Sequence, residues 1–171
     1  MINKVHLTIV KKIPTEIILK EWIKWLNNKK VSKYSSRGSK KHTLKSQKKF
    51  IKEKNSEKNN FLFLIKFKNI YIGVVELCNI DKFNKNCEIR YLIGNTDYWN
   101  KGIAAKSIKL ATKFGFEKIK LKTIYADTHQ ENIASQKVLK KNYYKLQGKI
   151  KNFFSNKGSP KDKIIFAKNK F

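Results

Sequence analysis

The residues best placed to do chemistry are Tyr98-Trp99-Asn100-Lys101-Gly102-Ile103-Ala104-Ala105. They lie between a strand-like run, Glu88 to Ile93, and a helix-like run from Gly102 to about Phe116. A glycine turn that opens a helix directly after a strand leaves backbone N–H groups without intrahelical partners, and the positive helix end points at the same spot. Gly102 lets a ligand approach the backbone, and Ala104 and Ala105 keep the first turn slim. Lys101 adds a full positive charge. This is the chemistry of gripping a phosphate group, and it points to an enzyme with a phosphate-bearing cofactor.

The flanking elements must hold that turn. Val5, Leu7 and Ile9 alternate with other residues as a first strand, which Pro14 ends. A helix from Thr15 or Glu16 to about Asn28 carries Ile18, Leu19, Trp22, Trp25 and Leu26 on one stripe. The polar stretch Val31 to Lys41 reads as a loop, and Thr43 caps a second helix through Lys54. Phe61 to Phe67, Ile70 to Ile80 and Cys87 to Ile93 read as strands, with a tight turn at Lys68-Asn69. After the 102–116 helix come a strand near Thr123 to Asp127 and a helix from Asn132 to Asn142. Tyr144 to Lys151 and Lys163 to Lys168 are the last strands. The expectation is an α/β (α+β) fold in one domain over residues 1–171. Its mixed, mostly antiparallel twisted sheet has about seven strands flanked by about four helices.

Composition narrows the classes. With 171 residues, 40% of them hydrophobic and 12% aromatic, the chain suits a folded domain with a real core. Cys78 and Cys87 have no CxxC spacing and no nearby histidine pair, which argues against a metal site or a disulfide framework and for a reducing cytoplasm. The longest apolar runs, such as Phe61 to Ile65, are far too short to span a bilayer. The net charge of +28 invites a nucleic-acid reading. Against it, Arg37 and Arg90 are the only arginines, and the lysines are spread along the whole chain. Arginine is the preferred residue for bidentate phosphate and base contacts, so a solvated lysine surface is the expectation and nucleic acid is not an expected partner. That surface still attracts anionic ligands and repels cationic proteins.

The order of elements and two motifs resemble the GNAT N-acetyltransferase superfamily, in the branch of the ribosomal-protein N-terminal and nucleotide-amino-sugar acetyltransferases. The family's acetyl-CoA turn, Gln/Arg-x-x-Gly-x-Gly/Ala, reads here Trp99-Asn100-Lys101-Gly102-Ile103-Ala104. Its late helix, Asn-x-x-Ser/Ala followed by Val-Leu, Lys and Gly-Phe, reads Asn132-Ile133-Ala134-Ser135, then Val138-Leu139-Lys140-Lys141-Asn142-Tyr143. Three departures stand out. Trp99 replaces Gln or Arg. Asn142 stands at the glycine position, where Asn accepts a left-handed conformation. Leu139 occupies the place where many members carry a tyrosine as general acid.

The resemblance implies a cytoplasmic, bacterial acyltransferase with acetyl-CoA as cosubstrate, working as a monomer or homodimer. It implies that the backbones of Leu92 and Ile93 pair with the pantetheine arm. Trp99, Asn100, Lys101, Gly102, Ile103 and Ala104 would hold the pyrophosphate, with Asn132 and Lys137 also meeting the cofactor. An ammonium cannot attack a thioester, so a base is needed. Glu88 is the first candidate and Glu76 the second. A sheet carboxylate paired with a lysine is the alternative reading of each. Ser135 and Tyr143 are the candidate acids, and small-residue packing and an aromatic core position are their alternatives. Tyr34, Arg37 and His42 fall in the region where the family holds its acceptor.

The leading expectation for the acceptor is an amino sugar on a nucleotide, for which a cationic surface is suited. A protein N-terminus, ribosomal or otherwise, or a small amine is the alternative within the fold. A basic nucleic-acid-binding module without catalysis is the alternative of another class.

Overall fold

A computed structural model describes residues 4–35, 38, 40–155 and 159–170. Strand β1 is Val5–Ile9, β2 Phe61–Phe67, β3 Ile70–Asp81, β4 Asn86–Ile93, β5 Thr123–His129, β6 Lys145–Phe154 and β7 Lys161–Asn169. They form one sheet in the order β1-β2-β3-β4-β5-β7-β6. Every pairing is antiparallel except β4 with β5. The β2–β3 turn, Lys68-Asn69, takes positive φ at both residues (45° and 68°), as a tight two-residue hairpin demands.

Helix α1 is Glu16–Asn27, α2 Lys29–Ser32, α3 Leu44–Ser56, α4 Ile103–Glu117 and α5 Ile133–Lys141. Helix α1 buries Leu19, Trp22, Trp25 and Leu26 together with Ile51 of α3 and Leu62 and Leu64 of β2. Helices α4 and α5 contribute Ile103, Ile108, Ala111, Phe116 and Leu139 to a second cluster with Ile89 and Ile93 of β4. Leu92 packs against the first cluster and its neighbour Ile93 belongs to the second, so the two clusters lie on opposite faces of the sheet. The expected sheet and its strand count are found. The helix beyond the expected four is α2, a single turn that starts just before the stretch expected to be loop and runs into it at Val31 and Ser32. Its origin is local: the Asn28 side chain accepts from the Lys30 N–H and caps it.

The end of α5 corrects the motif reading. Asn142 does not take the left-handed position: its φ is −95°. Tyr143 does, at φ 62°, and it is 79% exposed. The buried aromatic is the next residue, Tyr144, whose hydroxyl bonds to that of Thr112 at 2.7 Å. The Gly-Phe step of the resemblance therefore falls on Tyr143-Tyr144. Tyr143 is not in the aromatic core, and it lies at the opposite end of α5 from Ser135, about 12 Å away at 1.5 Å rise per residue.

A side chain at positive φ carries a steric cost that glycine escapes. Tyr143→Gly is expected to raise the unfolding free energy by about 1 kcal/mol in a urea titration; no change or a loss would show that the Lys168 ammonium over the Tyr143 ring outweighs the strain.

Candidate active site

Strand β4 stays paired with β3 up to Ile93 opposite Gly73. It is paired with β5 only over Asn86–Glu88, opposite Thr123–Tyr125. Beyond Glu88 the two parallel strands part, while β5 keeps its partner β7 as far as His129. The result is a wedge between residues 89–93 and 126–129 that opens toward the carboxyl ends of both strands. Such a crevice, where neighbouring strands lead into different helices, is where ligands lodge in parallel sheets.

The chain leaving β4 forms the expected turn. Gly94 has room for no side chain, since a Cβ there would lie 2.1 Å from the Trp25 ring. Trp99 donates its indole N–H to the Ile93 carbonyl at 2.8 Å, which ties the turn to the end of β4. Trp99 thus has a structural task, and the Ile93 carbonyl is already occupied. Asn100 and Gly102 adopt left-handed φ of 59° and 73°. Gly102 is the N-cap of α4, no side chain caps that helix, and no acidic residue sits in its first turn. The first-turn N–H groups of Ile103, Ala104 and Ala105 are thus open to an anion, with Lys101 exposed beside them.

The apex of the wedge is a charged knot. Glu88 is 4% exposed. Its Oε1 accepts from Arg90 Nε at 2.6 Å, and its Oε2 accepts from Arg90 Nη2 at 2.7 Å and Asn79 Nδ2 at 3.0 Å. Asn79 reaches it because β3 bulges between Cys78 and Asp81, with Asn79 at φ 53°. Glu76 lies across from Arg90 and pairs with Lys54 of α3 at 3.3 Å. Burial alone would lower the Lys54 pKa; Glu57 and Glu76 outweigh it and raise it. Both carboxylates named as candidate bases are therefore held in ion pairs, and for Glu88 a proton would have to displace a bidentate fork.

Helix α5 opens on the other wall. Asn132 caps it, accepting from the Ser135 N–H at 3.2 Å. Ser135, half-buried, accepts at its Oγ from the Tyr91 hydroxyl at 3.1 Å. Tyr91 is the site residue the sequence reasoning missed. Alternation along β4 places a phenol on the same face as Ile89 and Ile93, and a hydroxyl among buried aliphatics was the available signal. Lys137 lies exposed further along α5.

At the mouth of the wedge, the Tyr34 hydroxyl donates to the Glu131 carbonyl at 3.3 Å, and the Tyr34 ring lies 5.1 Å from that of His129. His129 in turn stacks on Phe154 at 4.9 Å. His42 is pinned by its backbone, with Asn27 both donating to its carbonyl and accepting from its N–H. Arg37 lies outside the described residues.

The acetyltransferase (GNAT) domain family matches residues 14–145. The spermidine N(1)-acetyltransferase of Escherichia coli (strain K12) is 27% identical over 92 residues, 54% of this chain. That alignment spans 49% of the relative, so the chain matches about half the length of this curated relative. Among solved structures, the spermidine N-acetyltransferase from Vibrio cholerae in complex with CoA and spermine superposes with a TM-score of 0.85 at 17% identity, over 98% of this chain and 96% of that one. The microcin C7 self-immunity acetyltransferase MccE, in complex with acetyl-CoA and AMP, gives 0.81 at 21% identity over 98% and 93%. At these identities the structural likeness establishes the fold.

Removing the charge at the apex tests how much the knot holds. Glu88→Gln keeps the shape, loses the fork and is expected to lower the unfolding free energy by about 1–3 kcal/mol in urea. An unchanged midpoint would mean that the wedge does not depend on this ion pair.

Proposed function

The chain belongs to the GNAT acetyltransferase family, and from that premise we propose that it moves an acetyl group from acetyl-CoA to a primary amine. The observation that carries the proposal is the wedge between β4 and β5 beneath an uncapped helix start. Acetyl-CoA supplies an acetyl group activated as a thioester. The residues fit its chemistry: the open N–H groups of Ile103, Ala104 and Ala105 suit a pyrophosphate, Lys101 and Lys137 offer cations to further phosphates, and the parted edge of β4 offers the backbone of Ile93 to an amide-bearing arm, whereas Leu92, opposite Val74, turns its backbone groups toward β3. With Ile93's carbonyl taken by Trp99, its N–H is the group left for that arm.

The protein's part in the reaction is to hold, orient and exclude. Glu88 and Glu76, committed to Arg90 and Lys54, fix the apex rather than take the proton of the amine. That proton leaves through the open mouth to water. Ser135, on the first turn of α5, faces the wedge at the level of Tyr91 and is the side chain positioned to touch the reacting group.

For the acceptor we propose an amine carried on an anionic, nucleotide-like group, with an amino sugar as the leading case. Two features support this. The surface is strongly cationic, at +28 overall, which concentrates anions and repels polycations. The mouth presents a row of rings, Tyr34, His129 and Phe154, suited to a flat or sugar-bearing partner. Spermidine, the amine in the name of the Escherichia coli relative, is the competing acceptor, and the field of this chain disfavours it.

Calorimetric titration with acetyl-CoA is expected to show one site, and Lys101→Glu to weaken it about tenfold, less so at high salt. Absence of binding to the unaltered chain would overturn the cofactor reading. In an acetyl-CoA consumption screen, a nucleotide-linked amino sugar is expected to exceed both spermidine and a peptide N-terminus in kcat/KM by at least about tenfold, which is 1.4 kcal/mol of discrimination. The reverse order would overturn the acceptor.

A further inference from the structure

Tyr91 lies beyond the last β4–β5 rung, on the stretch where β4 has left β5. Its hydroxyl crosses to α5 and donates to Ser135 Oγ at 3.1 Å. Between these two residues the wedge is bridged by a single polar bond. The packing role of Tyr91 against the aliphatic cluster would be served by phenylalanine; the hydroxyl adds only the bond to Ser135. Ser135 is also fixed through its backbone, whose N–H is held by Asn132. With its oxygen accepting from Tyr91, the Ser135 hydrogen has no acceptor among the described residues and is free to point into the wedge.

We propose that Tyr91 is a positioning residue that aims the Ser135 hydroxyl at the thioester sulfur, so that Ser135 donates a hydrogen bond to the sulfur as the carbon–sulfur bond breaks. The proposal rests on the reading that acetyl-CoA lies in the wedge. In the step concerned, the acceptor nitrogen bonds to the acetyl carbon and the sulfur departs with the electron pair of the broken bond. The proton lost by the nitrogen goes to water.

Magnitudes separate this role from acid catalysis. Burial pushes the Tyr91 hydroxyl up to about 12, with the Ser135 bond opposing. A thiol ionises near about 8.5, so outright transfer of the proton from Tyr91 to the thiolate is uphill by roughly three to four pKa units. A fixed donor that gains strength as charge builds on the sulfur needs no transfer. Tyr91 remains protonated throughout the neutral range and keeps the serine oxygen as its acceptor, which leaves the serine hydrogen directed at the sulfur.

The test needs no acceptor. The probe is CoA itself, bound to the full chain, and the readout is the pKa of its thiol from the ultraviolet absorbance of the thiolate over a pH series. The unaltered protein is expected to lower that pKa by about one unit from free CoA, a tenfold preference for the thiolate. Ser135→Ala abolishes the shift, Tyr91→Phe removes about half of it, and the double variant matches Ser135→Ala. Desulfo-CoA, which has no sulfur, binds all four proteins equally, and this also reports that each is folded. A Tyr91→Phe protein with the full shift overturns the proposal. So does a double variant that loses more than Ser135→Ala, because the two groups would then act separately. An unaltered protein that binds CoA with no thiol shift defeats this inference alone; one that binds neither CoA nor desulfo-CoA defeats the wedge reading beneath it.

Discussion

Strand β4 cannot follow both of its neighbours, and the rest of the structure depends on which it abandons. It keeps β3 as far as Ile93 and leaves β5 after Glu88. Contacts at both ends enforce that choice. At the base, Glu88 is forked by Arg90 and held by Asn79 from the bulge of β3. At the top, Gly94 lies against the Trp25 ring and Trp99 draws the turn onto the Ile93 carbonyl. The edge of β4 that has left β5 is thus fixed in place by contacts that occupy the Ile93 carbonyl and leave the Ile93 N–H open. A backbone edge left open in this way is costly unless water or a ligand satisfies it, and the uncapped start of α4 that follows it supplies the charge that favours an anionic ligand.

Electrostatics reinforces this selectivity. Apart from Asp81 and Asp97, every acidic side chain lies within salt-bridge distance of a cation, none farther than 3.8 Å. Asp81 is held instead by the backbone and side chain of Asn84. The acids are consumed locally, so the field reaching solvent is that of the surplus lysines. Most of those pairs are exposed and add little stability. Their consequence is that few free carboxylates remain to greet a cationic acceptor, while the excess positive charge still concentrates anions within a Debye length of the surface.

Element types and order were legible because the signals are local. The two-residue turn at Lys68-Asn69, the Thr43 cap and the glycine at position 102 act within a few residues of themselves. The uncapped helix start was legible for the same reason. What escaped depends on register. Whether Asn142 or Tyr143 takes the left-handed position is decided by which tyrosine the core can bury, and Thr112, far away in sequence, holds Tyr144. The Asn79 contact to Glu88 was hidden because it needs the bulge on another strand, whereas the Arg90 fork lies two residues along the same strand. Tyr91 escaped because its partner is on a helix reached only after β5, and no spacing rule links them.

The same core explains where the polar groups of the site can stand. Leu139 is fully buried in the cluster that joins α5 to α4 and the sheet. A phenol at that position would have to point its hydroxyl into aliphatic surroundings or swing α5 outward, and an unsatisfied buried hydroxyl costs about 1–3 kcal/mol. The inner face of α5 is therefore spent on packing from Leu139 onward. Only its first turn, where Asn132 and Ser135 sit, remains polar toward the wedge. A donor aimed there has to come from the opposite wall. Beyond the parting, β4 offers Ile89, Arg90, Tyr91, Leu92 and Ile93: Arg90 is locked to Glu88, and Ile89, Leu92 and Ile93 are apolar. Tyr91 is the side chain that combines the reach to cross the gap with a proton to donate on arrival.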